Sequence, residues 1–101
     1  MIDLEFEFES KIWLWVAEKA SWHFLTVPED ISSDIKAFTK HLARGFRSVK
    51  VEACIGETKW KTSIFPSKTH KGYILPIKAA VRKAEDLSAD DVVHIQLSVP
   101  T

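Results

Sequence analysis

The sequence predicts a mostly β fold, a small and largely antiparallel six-stranded barrel with two short helices. Three observations carry this. Period-two apolar alternation recurs along the chain, helical spacing occurs in only two short segments, and strands and helices do not alternate in a βαβ rhythm. At 101 residues the chain has the length of one domain, residues 1–101, with a single core.

Ile2, Leu4, Phe6 and Phe8 alternate with Asp3, Glu5, Glu7 and Glu9, which gives a first strand with one apolar and one acidic face. From Ile12 to Ala17 the run IWLWVA is apolar on both faces. Continued as the same strand, it is either covered on both sides or exposes Trp13 and Trp15 as a patch. A turn at Glu18-Lys19-Ala20 leads to a second strand, Ser21 to Val27, which Pro28 stops because it has no N–H for the ladder.

Ile31, Ile35, Phe38 and Leu42 then recur at helical spacing. Glu29, Asp30 and Asp34 lie early, and Lys40, His41 and Arg44 lie late, as the helix dipole favours. With Gly45 as its C-terminal cap, a helix is predicted from about Glu29 to Leu42.

Ser48 to Ile55 returns to period two and turns at Gly56-Glu57 into a partner strand, Lys59 to Phe65. Pro66 to Gly72 is a polar loop, and Tyr73-Ile74-Leu75 a short strand. Pro76 is placed to open a short second helix, with Lys78 and Arg82 four residues apart on one face. Val93, Ile95, Leu97 and Val99 alternate in a final strand.

The net charge of zero conceals segregation: residues 36–83 carry +10, residues 1–35 carry −6 and residues 84–101 carry −4. Such asymmetry fits an anionic partner, or acidic and basic strands that neutralise each other in a sheet. No apolar run approaches the about 20 residues of a membrane-spanning helix. Met1-Ile2-Asp3-Leu4-Glu5 lacks the basic region of a secretory signal, and the lone Cys54 suits a reducing compartment, so a cytoplasmic protein is expected.

From Ile55 onward the pattern Ile55-Gly56, Trp60, Thr62-Ser63, Phe65-Pro66, Tyr73, Leu75-Pro76, Lys78, Val81-Arg82, Leu87, Asp91 and Val93 resembles a bacterial family known as domain of unknown function nineteen-oh-five. Upstream, the acidic first strand, Trp22-His23-Phe24 before Val27-Pro28, and the Ile31–Ile35 helix fit as well. The resemblance implies a barrel of the double-split type, related in shape to AbrB-type and MazE-type proteins. It implies no activity. Where the family pattern has glycine before the aspartate of the last turn, this chain has Asp90, which is expected to take a left-handed backbone.

Five function classes are weighed. His23, His41, His70, His94 and Cys54 show no metal-ligand spacing, so no metal or other cofactor is expected. Ser63 lies mid-strand rather than on a nucleophile elbow, and Cys54 reads as a quiet strand thiol, so no catalytic residue is assigned. Lys59, Lys61, Lys68 and Lys71 with Trp60 would suit an AbrB-like nucleic-acid-binding regulator, but Trp60 shares the parity of Ile64, which suits core packing at least as well as stacking.

The favoured function is a binding module for an anionic small ligand or partner, as a monomer or weak dimer with no membrane association. Its candidate ligand residues are Trp60, Lys61, Thr62, Ser63, Lys78 and Arg82, with Arg82 offering bidentate geometry. Parity already divides them: Trp60 and Thr62 face one way, Lys61 and Ser63 the other. The remaining reading is a protein-interaction domain without a small ligand, using Trp13 and Trp15 as its contact patch.

Overall fold

A computed structural model describes residues 3–39 and 48–100. Seven strands and two helices follow in the order β1 (Leu4–Lys11), β2 (Trp13–Ala17), β3 (Ala20–Thr26), α1 (Glu29–Thr39), β4 (Val49–Ile55), β5 (Thr58–Ser67), β6 (Gly72–Pro76), α2 (Ala79–Glu85) and β7 (Val92–Val99). The strands form one antiparallel sheet in the order β1-β7-β4-β5-β6-β3-β2. It curls but does not close, since β1 and β2 remain its two edges.

Two features correct the six-stranded barrel expected from the sequence. The long first strand breaks at Ile12 into β1, which pairs with β7, and β2, which pairs with β3. At the break Ile12 leaves both ladders: its N–H donates to the Asp91 carbonyl at 2.9 Å and its carbonyl accepts from Asp90 N–H at 2.7 Å. Asp90 has φ 76°, the left-handed backbone expected where the family pattern has glycine. The second feature is the open edge. β1 and β2 are successive in the chain, so the two edges are joined covalently at Ile12 rather than by a ladder.

β5 makes a comparable switch. Thr58 to Ile64 pair with β4, whereas Phe65 to Ser67 pair with β6. The sheet therefore has two wings that share β5, and their inner faces enclose one core. Phe8, Leu25, Val51, Ile64, Leu75, Ile95 and Leu97 lie in that core, with Ile35 of α1 and Val81 of α2 packed among them.

The helices are fastened by polar contacts. Ser32 is buried; its hydroxyl donates to the Val27 carbonyl at 3.1 Å and accepts from Tyr73 N–H at 3.0 Å, tying α1 to the end of β3 and to β6. Gly72 makes this approach feasible, since a Cβ there would fall 2.4 Å from Ser32 Oγ. Thr58 Oγ1 donates to Glu85 Oε2 at 2.6 Å, holding α2 against the start of β5. Gly56, with φ 59°, makes the β4–β5 turn directly beneath the same carboxylate.

The second helix begins later than expected. Pro76 is the last residue of β6, and Lys78 is the extended N-cap of α2 with ψ 159°. The expected end of α1 near Leu42, its late cations Lys40, His41 and Arg44, and its cap Gly45 lie outside the described residues.

Candidate functional site

The face of the sheet turned away from the core carries a groove of about 1530 Å³. Its walls follow from strand parity. On β2 and β3, Trp13, Trp15, Trp22 and Phe24 point to this face while Leu25 points into the core. The pairing sets Trp13 opposite Phe24 and Trp15 opposite Trp22, and Phe24 opposite Pro76 on β6. Phe65 and Ile74, themselves a cross-strand pair, extend the apolar wall to the point where β5 changes partners. Beyond it the lining turns polar, with Ser63, Lys61, Thr62, Lys50 and Glu52, and Asp3 and Ser98 at the rim.

Trp13 is the anchored member of the aromatic half. The Trp13 indole N–H donates to Thr26 Oγ1 at 2.9 Å. The Trp13 ring lies 4.9 Å from Phe24, and His70 stacks on it at 4.3 Å with 16° between planes. His70 is itself fixed by the Ser67 hydroxyl, 3.0 Å from its Nδ1. Trp22 and Phe24 continue the series with centroids 6.5 Å apart. Such rings offer a flat, low-entropy surface for a planar apolar group.

The polar half retains its charge. Lys50 stands opposite Ser63 and Glu52 opposite Lys61 across the β4–β5 ladder. Among the described residues the one ion pair is Glu7 with His94, 2.7 Å apart on β1 and β7, so neither Lys50 nor Lys61 is neutralised by a direct partner. The acidic β1 is separated from β4 and β5 by the nearly neutral outward face of β7, His94, Gln96 and Ser98. Outward charge thus runs from negative at β1 to positive at β5. The His94 hydrogen bond holds the Glu7 carboxyl below its ordinary range, with Gln96 assisting.

The six residues predicted from the sequence divide three ways. Lys61 and Ser63 line the groove as their parity requires, and Thr62 also borders it although it shares the parity of Trp60 and Ile64. Trp60 is 7% exposed and belongs to the core, as parity requires. Lys78 and Arg82 do not line the groove. Lys78 is exposed at the α2 N-cap, and Arg82 Nε donates to the Ile77 carbonyl at 3.2 Å.

Arg82 also acts on His23, the inward neighbour of Trp22 and Phe24. Burial pushes the His23 pKa down, and the guanidinium lowers it further. His23 Nδ1 is buried with no hydrogen-bond partner, consistent with a neutral ring.

Sequence reasoning missed Trp22, Phe24, Phe65 and His70 as groove residues. Their parity was legible, but which strands adjoin β3 was not, and His70 lies in a loop with no periodicity.

The chain matches the family model described as Domain of unknown function (DUF1905) over residues 8–97. It belongs to the DUF1905 family. No curated protein matches it. Within this DUF1905 chain the matched segment contains the whole aromatic wall and both groove lysines. Among the described residues no cluster of three metal-ligating side chains occurs, and no helix is long and apolar enough to cross a membrane.

Proposed function

We propose that this protein is a binding module whose outer groove takes an amphipathic ligand with a planar apolar portion and an anionic group. One observation carries the reading: a single groove passes from stacked aromatic rings to unpaired cations and hydroxyls within a few residues of β5, at Phe65, Ser63 and Lys61. The planar portion lies against Trp13, Phe24 and Trp22. The anionic group reaches Lys61, Lys50 and the Ser63 hydroxyl, where charge-assisted hydrogen bonds are stronger than neutral ones. A volume of about 1530 Å³ exceeds the about 300–1,000 Å³ usual for drug-sized ligands, which favours a large or elongated molecule.

The runner-up is a nucleic-acid-binding regulator of the AbrB-like kind. Exposed Trp15 and Trp22 beside Lys50 and Lys61 supply stacking surfaces and cations. Asp3 and Glu52 in the same groove oppose an extended phosphate track more than they oppose a single anionic group at Lys50, Lys61 and Ser63.

The test is a thermal-shift and tryptophan-fluorescence screen of aromatic carboxylates and phosphates, with single-stranded and duplex DNA titrated over a salt series. A ligand that stabilises the protein should lose about tenfold or more in affinity on Lys61→Ala, since a hydrogen bond to a charged group contributes about 1.5–3 kcal/mol. Lys78→Ala, outside the groove, should leave binding unchanged. The reading fails if no compound binds, or if Lys61→Ala and Trp22→Ala bind as the wild type does. DNA affinity that falls linearly in log–log form with salt would replace it with the nucleic-acid reading.

A further inference from the structure

The two edges of the sheet are unlike. On β1, Glu5, Glu7, Glu9 and Lys11 put a charge at every second position, the usual protection of an edge against further pairing. β2, Trp-Leu-Trp-Val-Ala, has no charge, proline or bulge, and among the described residues only β3 pairs with it. Its exposed apolar side chains lie on both faces: Leu14 is 45% and Val16 68% exposed on one, Trp15 49% on the other. An edge of this kind is a template for another strand.

We propose that β2 pairs antiparallel with β2 of a second copy of this chain, forming a two-fold symmetric dimer through a continuous sheet. The second copy fits because the strand is self-complementary and its register is restricted. A two-fold axis perpendicular to the sheet sets residues of like parity opposite one another. Ile12 cannot take part, because both its backbone groups are bonded to the Asp90–Asp91 turn. The one register that uses all five residues of β2 puts Trp15 on the axis, opposite its own copy. Trp13 then faces Ala17 of the second copy, and Leu14 faces its Val16.

All five cross-strand pairs are apolar, the kind of contact that stabilises sheets. The two outer faces also become continuous through Trp15, so the grooves adjoin.

The size of the contact sets its strength. Leu14, Trp15 and Val16 with their backbone bury roughly 400 Å² per copy, about half of the ~800 Å² of a standard interface. The dimer therefore belongs to the weak class and dissociates on dilution.

Sedimentation velocity over a concentration series tests this. The wild type should pass from monomer to dimer as concentration rises, and Leu14→Lys should weaken association about tenfold or more by setting an unpaired cation against an apolar partner. Leu14 does not line the groove, so ligand binding by that variant should persist, which separates this proposal from the groove reading. Register is tested in a Cys54→Ser background under mild oxidation, a readout that needs no unfolding-prone charge. Trp15→Cys should link to its own copy, because opposite Cα atoms lie about 4.5–5.5 Å apart, within disulfide reach. Ala17→Cys should not. A wild type that stays monomeric at the highest concentration overturns the proposal, as does undiminished association of Leu14→Lys. Linking of Ala17→Cys in preference to Trp15→Cys overturns it too. Capture of a foreign extended peptide by a monomeric chain would assign the edge to another partner and likewise refute it.

Discussion

Replacing Ser32 with alanine tests how α1 is held to the sheet. The hydroxyl does two things at once: it donates to the Val27 carbonyl at 3.1 Å and accepts from Tyr73 N–H at 3.0 Å. Both Ser32 and Tyr73 are buried, so water does not readily replace the lost partner. A buried donor left without an acceptor costs about 1–3 kcal/mol, and the lost bond to Val27 adds about 1 kcal/mol. The expected loss is therefore about 2–4 kcal/mol, a large fraction of the about 5–15 kcal/mol of a typical domain. At about 4–8 °C per kcal/mol for this chain length, Tm should fall by roughly 10–30 °C.

Urea unfolding followed by tryptophan fluorescence measures this, with an unchanged m-value showing that only stability has moved. Hydrogen exchange at the Tyr73 amide should accelerate at the same time. A loss below about 0.5 kcal/mol would show that the two bonds do not fasten the helix, against the usual cost of orphaned donors. Gly72→Ala strikes the same contact, since its Cβ would lie 2.4 Å from Ser32 Oγ and 2.7 Å from Ser32 Cβ. The two substitutions should therefore be non-additive: removing the hydroxyl lessens the Gly72→Ala cost, and the remaining Cβ contact keeps it above zero.

Further outcomes follow from single residues. Asp90, at φ 76°, should accept glycine with a gain of about 0.5–1 kcal/mol in urea unfolding, while alanine there should destabilise. Burial, then Arg82, depresses the His23 pKa, so the folded state resists a proton that the unfolded chain accepts. Stability should accordingly fall as pH drops below the ordinary histidine range, and His23→Leu should flatten that limb in midpoints measured between about pH 7 and 5. Arg82→Ala should raise the His23 midpoint in an NMR titration only partway, because burial remains. Glu7, held low chiefly by its hydrogen bond to His94, should titrate below ordinary glutamates and return towards them in His94→Ala. The stabilisation from this pair is present above the ordinary glutamate range and fades as pH falls through the lowered value.

The fold was legible wherever one strand face is apolar and the other polar. Val49 to Ile55 and Val93 to Val99 read correctly because lysine, glutamate, histidine and glutamine mark the outward side. The break at Ile12 was not legible, since IWLWVA is apolar on both faces and the residues that interrupt its ladder, Asp90 and Asp91, lie far away in the chain. Pro76 was misplaced for a local reason: proline suits both a first helical turn and the last position of a strand. At the site, the separation of Trp60 from Lys61 was legible from parity alone. The convergence of Trp13, Phe24 and Phe65 was not, because it depends on β6 standing between β3 and β5. Lys78 and Arg82 were paired by helical spacing, yet Lys78 precedes the helix and has extended backbone.

The corner at Ile12 also bears on the phase of β2. Odd positions face outward on both sides of it, Glu5 to Glu9 before and Trp13 to Trp15 after. Ile12 is one of two stops that keep β2 in phase: its bonds to the Asp90–Asp91 turn fix one end of the strand, and the two-residue turn at Glu18–Lys19 fixes the other. A slip of β2 by one residue against β3 would send Trp13 and Trp15 to the face now held by Leu14 and Val16 and strip the groove of half its aromatic wall.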